Sequence, residues 1–295
     1  MNRRTVLKGL ASFTAIGVGV ATYGVVIEAG LTMNTTAYAF TPPNWTPGLR
    51  LRAVVISDPH VVDPWFPLSR WQRVIEAAQA LNPDIVFMLG DYVTGMHLRT
   101  RKVPPIEIAR VAAQLHAPLG VYSINGNHDY WADFALQRSR IGQPEMQMAM
   151  EDAGIQVLAN RAVRLVKDGK PFWVSGTDSA VAFPKRGGGF DGRDDLVGTM
   201  RQITAIEPVI HLAHEPDMFI HMPDRVSLTL SGHTHGGQVR IAGHALYVPS
   251  KYGRRFIYGH IVEQNRHLIV SGGLGCSTLP VRIGSPPEIN LLELG

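Results

Sequence analysis

Five apolar stretches of this chain each run into a residue that can hold a metal ion or a proton. LRAVVIS (51–57) is followed by Asp58-Pro59-His60, and DIVFML (84–89) by Gly90-Asp91-Tyr92. LGVYSI (119–124) leads into Asn125-Gly126-Asn127-His128-Asp129. EPVIHLA (207–213) leads into His214-Glu215-Pro216-Asp217, and RVSLTL (225–230) into SGHTHGGQ, which carries His233 and His235. Asp and Asn open turns on their own account, so one such ending says little. Five of them constrain the fold, because ligands of α/β sheets bind outside the carboxyl ends of strands.

The intervening stretches support that class. Residues 69–81, 104–116, 145–154 and a stretch around 194–205 read as helices. Further strands are expected at 162–166, 171–176, 267–272 and 289–294. Strands alternating with helices near the front and more strands later predict an α/β protein.

SGHTHGGQ alone fits a polar turn as well as a metal site. Side chains at i and i+2 of an extended segment point the same way, and neutral imidazole is the commonest metal ligand. The wider set weighs towards metal. Asp58, His60, Asp91, Asn127, His214, His233 and His235 are too many for one zinc, which takes about four ligands. They suit two cations sharing a carboxylate. Nitrogen and oxygen donors without thiolate favour Mn, Fe or Zn, and paired metals are suited to displacement at phosphorus.

Composition excludes little. The chain has 295 residues, 45% apolar and 18% charged, with a formal net charge of +4. That mild excess suits an anionic substrate and does not point to nucleic acid. Cys276 is the sole cysteine, so no internal disulfide forms.

The first forty residues read as a separate segment, with the main domain over 41–295. Arg3, Arg4 and Lys8 make a positive start, and Leu10 to Ile27 carries no charge. The paired arginines before TVLK resemble a twin-arginine export signal. The expected partners are therefore the twin-arginine machinery and the inner membrane, with the catalytic domain outside. Ala37-Tyr38-Ala39 has the form of a cleavage site, although TTAYAF also alternates like a first strand. The balance favours an uncleaved anchor, with export after cleavage as the other outcome.

SDPH, LGDY, NGNHDY, LAHEPD and SGHTHGGQ, in this order, resemble the calcineurin-like metallophosphoesterase superfamily over about residues 50–295. The ending GLGCSTLPVRIGSPPEI is similar to that of a membrane-anchored or exported bacterial branch related to UDP-2,3-diacylglucosamine hydrolases. The resemblance implies a four-layer sandwich, two mixed β-sheets flanked by helices. It also implies that Asp58, His60 and His235 hold one cation, that Asn127, His214 and His233 hold a second, and that Asp91 bridges. His128 would protonate the leaving oxygen, with Asp129 as a candidate to orient it. The implied reaction is hydrolysis of a phosphate mono- or diester, on a small molecule or a lipid-linked substrate, by metal-bound hydroxide. The alternatives are hydrolysis of a UDP-2,3-diacylglucosamine-type pyrophosphate in lipid A synthesis and a non-catalytic phosphate- or metal-binding role.

Outside this set, Arg254 and Arg255 in KYGRRFIYGH and Arg282 in LPVRIG are candidates to contact substrate phosphate, since guanidinium geometry matches it. A solvated loop explains the first two slightly better. His211 reads as structural. The glycine-rich stretch 183–195 reads as a loop over the site.

Overall fold

The computed structural model describes residues 17–295. Arg3, Arg4, Lys8 and the start of the apolar run lie outside the described residues. Among the described residues no helix is long and apolar enough to cross a membrane. Residues 17–22 are α-helical and continue into a π-helical segment, Tyr23–Leu31.

Among the described residues two six-stranded sheets form the body. The first contains β1 (Asn34–Phe40), β2 (Leu51–Ile56), β3 (Ile85–Met88), β4 (Val121–Ser123) and β5 (Gln156–Val157). The second contains β6 (Arg161–Lys167), β7 (Lys170–Gly176), β8 (Val209–Leu212), β9 (Leu228–Ser231), β10 (Gly259–Glu263) and β11 (Arg266–Val270). The chain then returns to the first sheet as β12 (Glu288–Leu294), giving the orders β1-β12-β2-β3-β4-β5 and β10-β11-β9-β8-β7-β6.

The apolar runs are continuous because both faces of each sheet are covered. In β2, Leu51, Ala53 and Val55 face the layer between the sheets, where they meet Phe87, Ile210, Leu212, Leu230 and Ile269. Val54 and Ile56 point the other way. There they meet α1 (Leu68–Ala80) and α2 (Pro105–Ala112) through Trp71, Val74, Ile75 and Ile108. In α1 the buried Trp71, Val74, Ile75 and Ala78 follow the helical repeat. The outer face of the second sheet is closed by Met218, Phe219, Met222 and Phe256. The result is the expected four-layer α/β sandwich of two mixed sheets.

The parallel pairs decide where the chemistry sits. β2 pairs with β3 and β3 with β4 in parallel. So do β7 with β8, β8 with β9 and β9 with β11. Parallel neighbours end on one edge, so the loops after β2, β3 and β4 gather there, as do those after β8 and β9.

The boundary expected at residue 40 moves. Asn34–Phe40 is a strand that pairs in parallel with Glu288–Leu294 along its whole length. The folded domain therefore includes residues 34–40, and Ala37-Tyr38-Ala39 lies inside a sheet. The stretch 251–260 also differs from a plain loop, because Gly259 and His260 open β10. A chain starting at residue 41 should lose the β1 ladder and expose the edge of β12. We expect it to melt roughly 5–10 °C below a chain starting at residue 34, at about 2–4 °C per kcal/mol for a protein of this size. Equal melting temperatures by circular dichroism would show that β1 adds nothing to the sheet.

Candidate metal centre

Each strand end delivers its side chain to one buried cluster. Asp58 and His60 follow β2, Asp91 follows β3, and Asn127 opens the short helix α3 (Asn127–Trp131) after β4. His214 follows β8, and His233 and His235 follow β9. His60 Nε2 lies 3.1 Å from His235 Nε2 and 3.5 Å from Asp91 Oδ2. Asp58 Oδ1 is 3.5 Å from His235 Nε2. The same oxygen, Asp91 Oδ2, is also 3.2 Å from His214 Nε2, and Asn127 Oδ1 is 2.7 Å from His233 Nδ1. Donor atoms of Asp58, His60 and His235 fall within 4.8 Å of one another, as do those of Asp91, His214 and His233. A third group of the same kind joins His60, Asp91 and His128.

The backbone is bent to make this happen. Asp58, His60, Asp91, His233 and His235 all have left-handed φ, between 46° and 70°. Such a conformation costs an ordinary residue roughly 1–2 kcal/mol, and it concentrates where surrounding structure over-determines it. Two glycines make room. A Cβ on Gly126 would collide with the Asp91 carboxylate, and one on Gly232 with Ser57 and Asp58.

Burial and charge set the protonation states. Burial lowers the imidazoles of His60 and His233 to about 3, so both are neutral and able to coordinate. Burial also holds His235 well below its usual range, with His60 and Arg282 adding to the effect. Burial would raise Asp91, but the charged His214 beside it outweighs that and keeps the carboxyl well below its usual value. Burial would lower His214, but Asp91, Asp58 and Glu215 hold it well above. Burial pushes Asp58 up to about 6.

The donor set fits divalent cations. His60 Nδ1 is 3.1 Å from Val93 O and His214 Nδ1 is 2.6 Å from Leu89 O, so each ring donates there and aims Nε2 inward, bare in neutral His60 and carrying a proton that a cation would displace in His214. His214 Nε2 is buried without hydrogen-bond geometry to any described residue, despite its nearness to Asp91. His233 Nε2 donates to Pro249 O at 3.0 Å, leaving Nδ1 and the Asn127 carbonyl as two lone pairs facing each other. Such pairs need a proton or a cation between them, and the carboxylates favour the cation. His235 differs. Arg282 can only donate to its Nδ1, at 3.1 Å, so the neutral ring carries its proton on the inward Nε2; for Nε2 to hold a cation, that proton would have to move to Nδ1 as the Arg282 contact breaks, or leave to give an imidazolate paired with the guanidinium.

His128 sits beside the cluster, with its ring 4.8 Å from that of His60 and its backbone N–H donating to Asp91 Oδ1 at 2.7 Å. Its Nδ1 is buried and has no hydrogen-bond partner among the described residues. Burial lowers its pKa. A cavity of ≈ 420 Å³ opens over Asp91, Asn127, His128, His233 and His235. Its apolar walls include Trp131, Val239, Leu246, Tyr247, Leu279 and Val281, and Gln238, Ser277 and Thr278 add neutral polar groups.

Three sequence expectations need correction. Asp129 does not orient the His128 ring. Its carboxylate accepts from the N–H groups of Asp91, Tyr92 and Gly126 at 2.8–3.0 Å and so clamps two of the site loops together. Arg282 cannot touch substrate, because it is fully buried and its guanidinium is taken up by carbonyls of Gly272, Gly275 and Ser285. Arg254 and Arg255 are outside the cavity lining. Arg255 forks onto Glu263 at 2.6–2.8 Å, and Arg254 reaches Ala245 O.

His211 is buried and neutral, with Ser175 Oγ at 2.9 Å from Nδ1. The 183–195 loop does approach the site, since Phe190 stacks on Trp131 at 5.6 Å. The sequence reading missed the apolar cavity walls, whose residues follow no period. It also missed Glu215, which pins the loop at Ser179 and Ala180.

The family model described as calcineurin-like phosphoesterase matches residues 51–237. The chain is similar to the uncharacterized metallophosphoesterase YkuE of Bacillus subtilis, at 28% identity over 100% of this chain and 98% of that one. It is 32% identical to a zebrafish (Danio rerio) transmembrane protein with metallophosphoesterase domain, over 83% of this chain and 53% of that one, so it spans about half the length of that relative. Phosphodiesterase YaeI of Escherichia coli is 28% identical over 77% of this chain and 76% of that one. The chain belongs to the calcineurin-like phosphoesterase family and is a metallophosphoesterase, a hydrolase of phosphoric ester bonds.

Proposed function

We propose that this protein hydrolyses a phosphate mono- or diester with two divalent cations, Mn, Zn or Fe, held on either side of Asp91. The observation that carries the reading is the sharing of Asp91 between both donor groups. Asp58, His60 and His235 would hold one cation, and Asn127, His214 and His233 the other. Bound there, the cations would supply Lewis-acid stabilisation of the phosphoryl charge and a nucleophile at neutral pH.

The chain's own residues do the rest. The Asp129 clamp and the space at Gly126 hold the Asp91 carboxylate in register. His128 lines the cavity with an unpartnered Nδ1 and is placed to give a proton to the leaving oxygen. Burial favours its neutral form, and the negative charge of a bound phosphate would offset that.

The cavity walls bear on the substrate. No lysine or arginine among the described residues lines the cavity, and Leu246, Tyr247 and Leu279 are exposed at its rim. A pyrophosphate would leave its second phosphate against these apolar groups without a cationic partner. The walls therefore favour a single phosphate bearing an apolar or amphipathic group over the UDP-2,3-diacylglucosamine alternative. A non-catalytic role leaves the orphaned His128 without purpose.

We place the domain outside the inner membrane, held by its N-terminal segment. The exposed Val18, Val20, Val26, Ile27 and Leu31 support a lipid-facing helix side, while Gly24, Glu28 and Ala29 face the domain. Cleavage at residue 39 would cut into β1, which supports an uncleaved anchor.

These readings are open to direct assay. Asp91→Asn should lose one cation and at least ~10²-fold in rate, measured as bound metal per chain and turnover of a 4-nitrophenyl phosphodiester. His128→Gln should cost about 10²–10⁴-fold on an alkyl ester and far less on the 4-nitrophenyl ester, whose leaving group needs no proton. Equal losses on both esters would remove the acid role. A long-chain alkyl phosphodiester should be cleaved with higher kcat/KM than a UDP-sugar pyrophosphate, and the reverse ranking would restore the alternative. Changing Arg3 and Arg4 to Lys should leave the protein in the cytoplasm on fractionation, and unchanged export would exclude the twin-arginine route.

A further inference from the structure

Arg282 is the largest charged side chain buried in the described structure, and among the described residues no carboxylate pairs with it. Nε and Nη2 donate to Gly275 O at 3.0 and 2.6 Å, and Nη1 donates to Gly272 O and Ser285 O at 2.9 and 2.8 Å. The remaining donor faces His235 Nδ1. A guanidinium so fully engaged fixes the ring it touches.

The segment carrying Arg282 is held in turn by the N-terminal helix. Arg282 N donates to Gly24 O at 3.0 Å. Ser285 N donates to Glu28 Oε1 at 2.7 Å, and Ser285 Oγ donates to His235 O at 2.7 Å. Glu28 is 3% exposed. A Cβ on Gly24 would press on Val281, Arg282 and Ile283, so the helix lies directly against this segment.

We propose that Glu28 and Arg282 are positioning residues for His235, so that docking of the N-terminal helix determines how tightly the Asp58–His60–His235 group holds its cation. The proposal rests on the two-cation reading above. Two routes reach His235 from the helix, one to its ring through Arg282 and one to its carbonyl through Ser285. Neither of these two routes ends on Asn127, His214 or His233. The effect is therefore confined to one of the two cations, whereas a merely structural contact would weaken both or neither. Any event that lifts the helix from the domain would weaken the hydrolase through that cation.

The test uses the full chain in detergent, titrated with Mn²⁺ alone, with bound metal counted by mass spectrometry after equilibrium dialysis. Glu28→Ala should weaken one cation by about 10–100-fold, the range for groups that orient metal ligands, while the other keeps its affinity. Glu28→Gln should recover most of the loss, because its amide oxygen still accepts from Ser285 N. Ser285→Ala removes only the hydroxyl contact to His235 O, should weaken the same cation to a smaller extent, and decides the matter if Glu28→Ala does not fold. Wild-type affinities for both cations in Glu28→Ala and Ser285→Ala, or an equal loss at both, would overturn the proposal. A wild type that binds fewer than two cations would instead overturn the two-cation reading, and the proposal with it.

Discussion

The structure depends on keeping a buried anion, Asp91, in place among other acids. Asp58 and Asp129 are also buried within a few residues of the same loops. Carboxylates so close and so dry repel, and removing each from water is expensive. Three features answer that cost. Imidazoles of His214, His128 and His60 surround Asp91. Backbone N–H groups point at Asp129 rather than away from it. The neutral rings of His60 and His233 turn bare nitrogens inward. The last feature makes little sense for a protein that binds no cation.

The sheet topology makes this arrangement affordable in backbone terms. Parallel strands end together, so the site is assembled from five loops without any one of them being long. The left-handed turns at Asp58, His60, Asp91, His233 and His235 re-aim side chains within one or two residues of the strand ends. Rigid strands behind strained turns give a site that holds its shape before any ligand arrives. The buried cluster is thus tied to the two central cores on one side and, through Ser285 and Glu28, to the N-terminal helix on the other.

Much of this was legible in the sequence, for a physical reason. A metal ligand is limited to a few residue types, and a strand end in a parallel sheet has a known direction, so Asp58, His60, Asp91, Asn127, His214, His233 and His235 could be read off together. What escaped were features whose residue types carry no such restriction. Asp129 follows His128 in chain and looked like its partner, yet its helical neighbourhood aims it at backbone amides. Arg282 looked like a phosphate contact because exposed arginines often are, and nothing local announced that carbonyls would enclose it. β1 was ambiguous because an edge strand has only one covered side, and TTAYAF doubles as a processing site. The apolar cavity walls come from distant loops with no common period.

The central claim is that two cations flank Asp91. It is tested most directly by crystals of the full domain grown with Mn²⁺, with anomalous scattering recorded on both sides of the manganese edge. The account predicts two anomalous peaks per chain, about 3.5–4 Å apart, with the Asp91 carboxylate between them and Asn127 beside the one nearer His214. A single peak, or a pair that does not share Asp91, would contradict it.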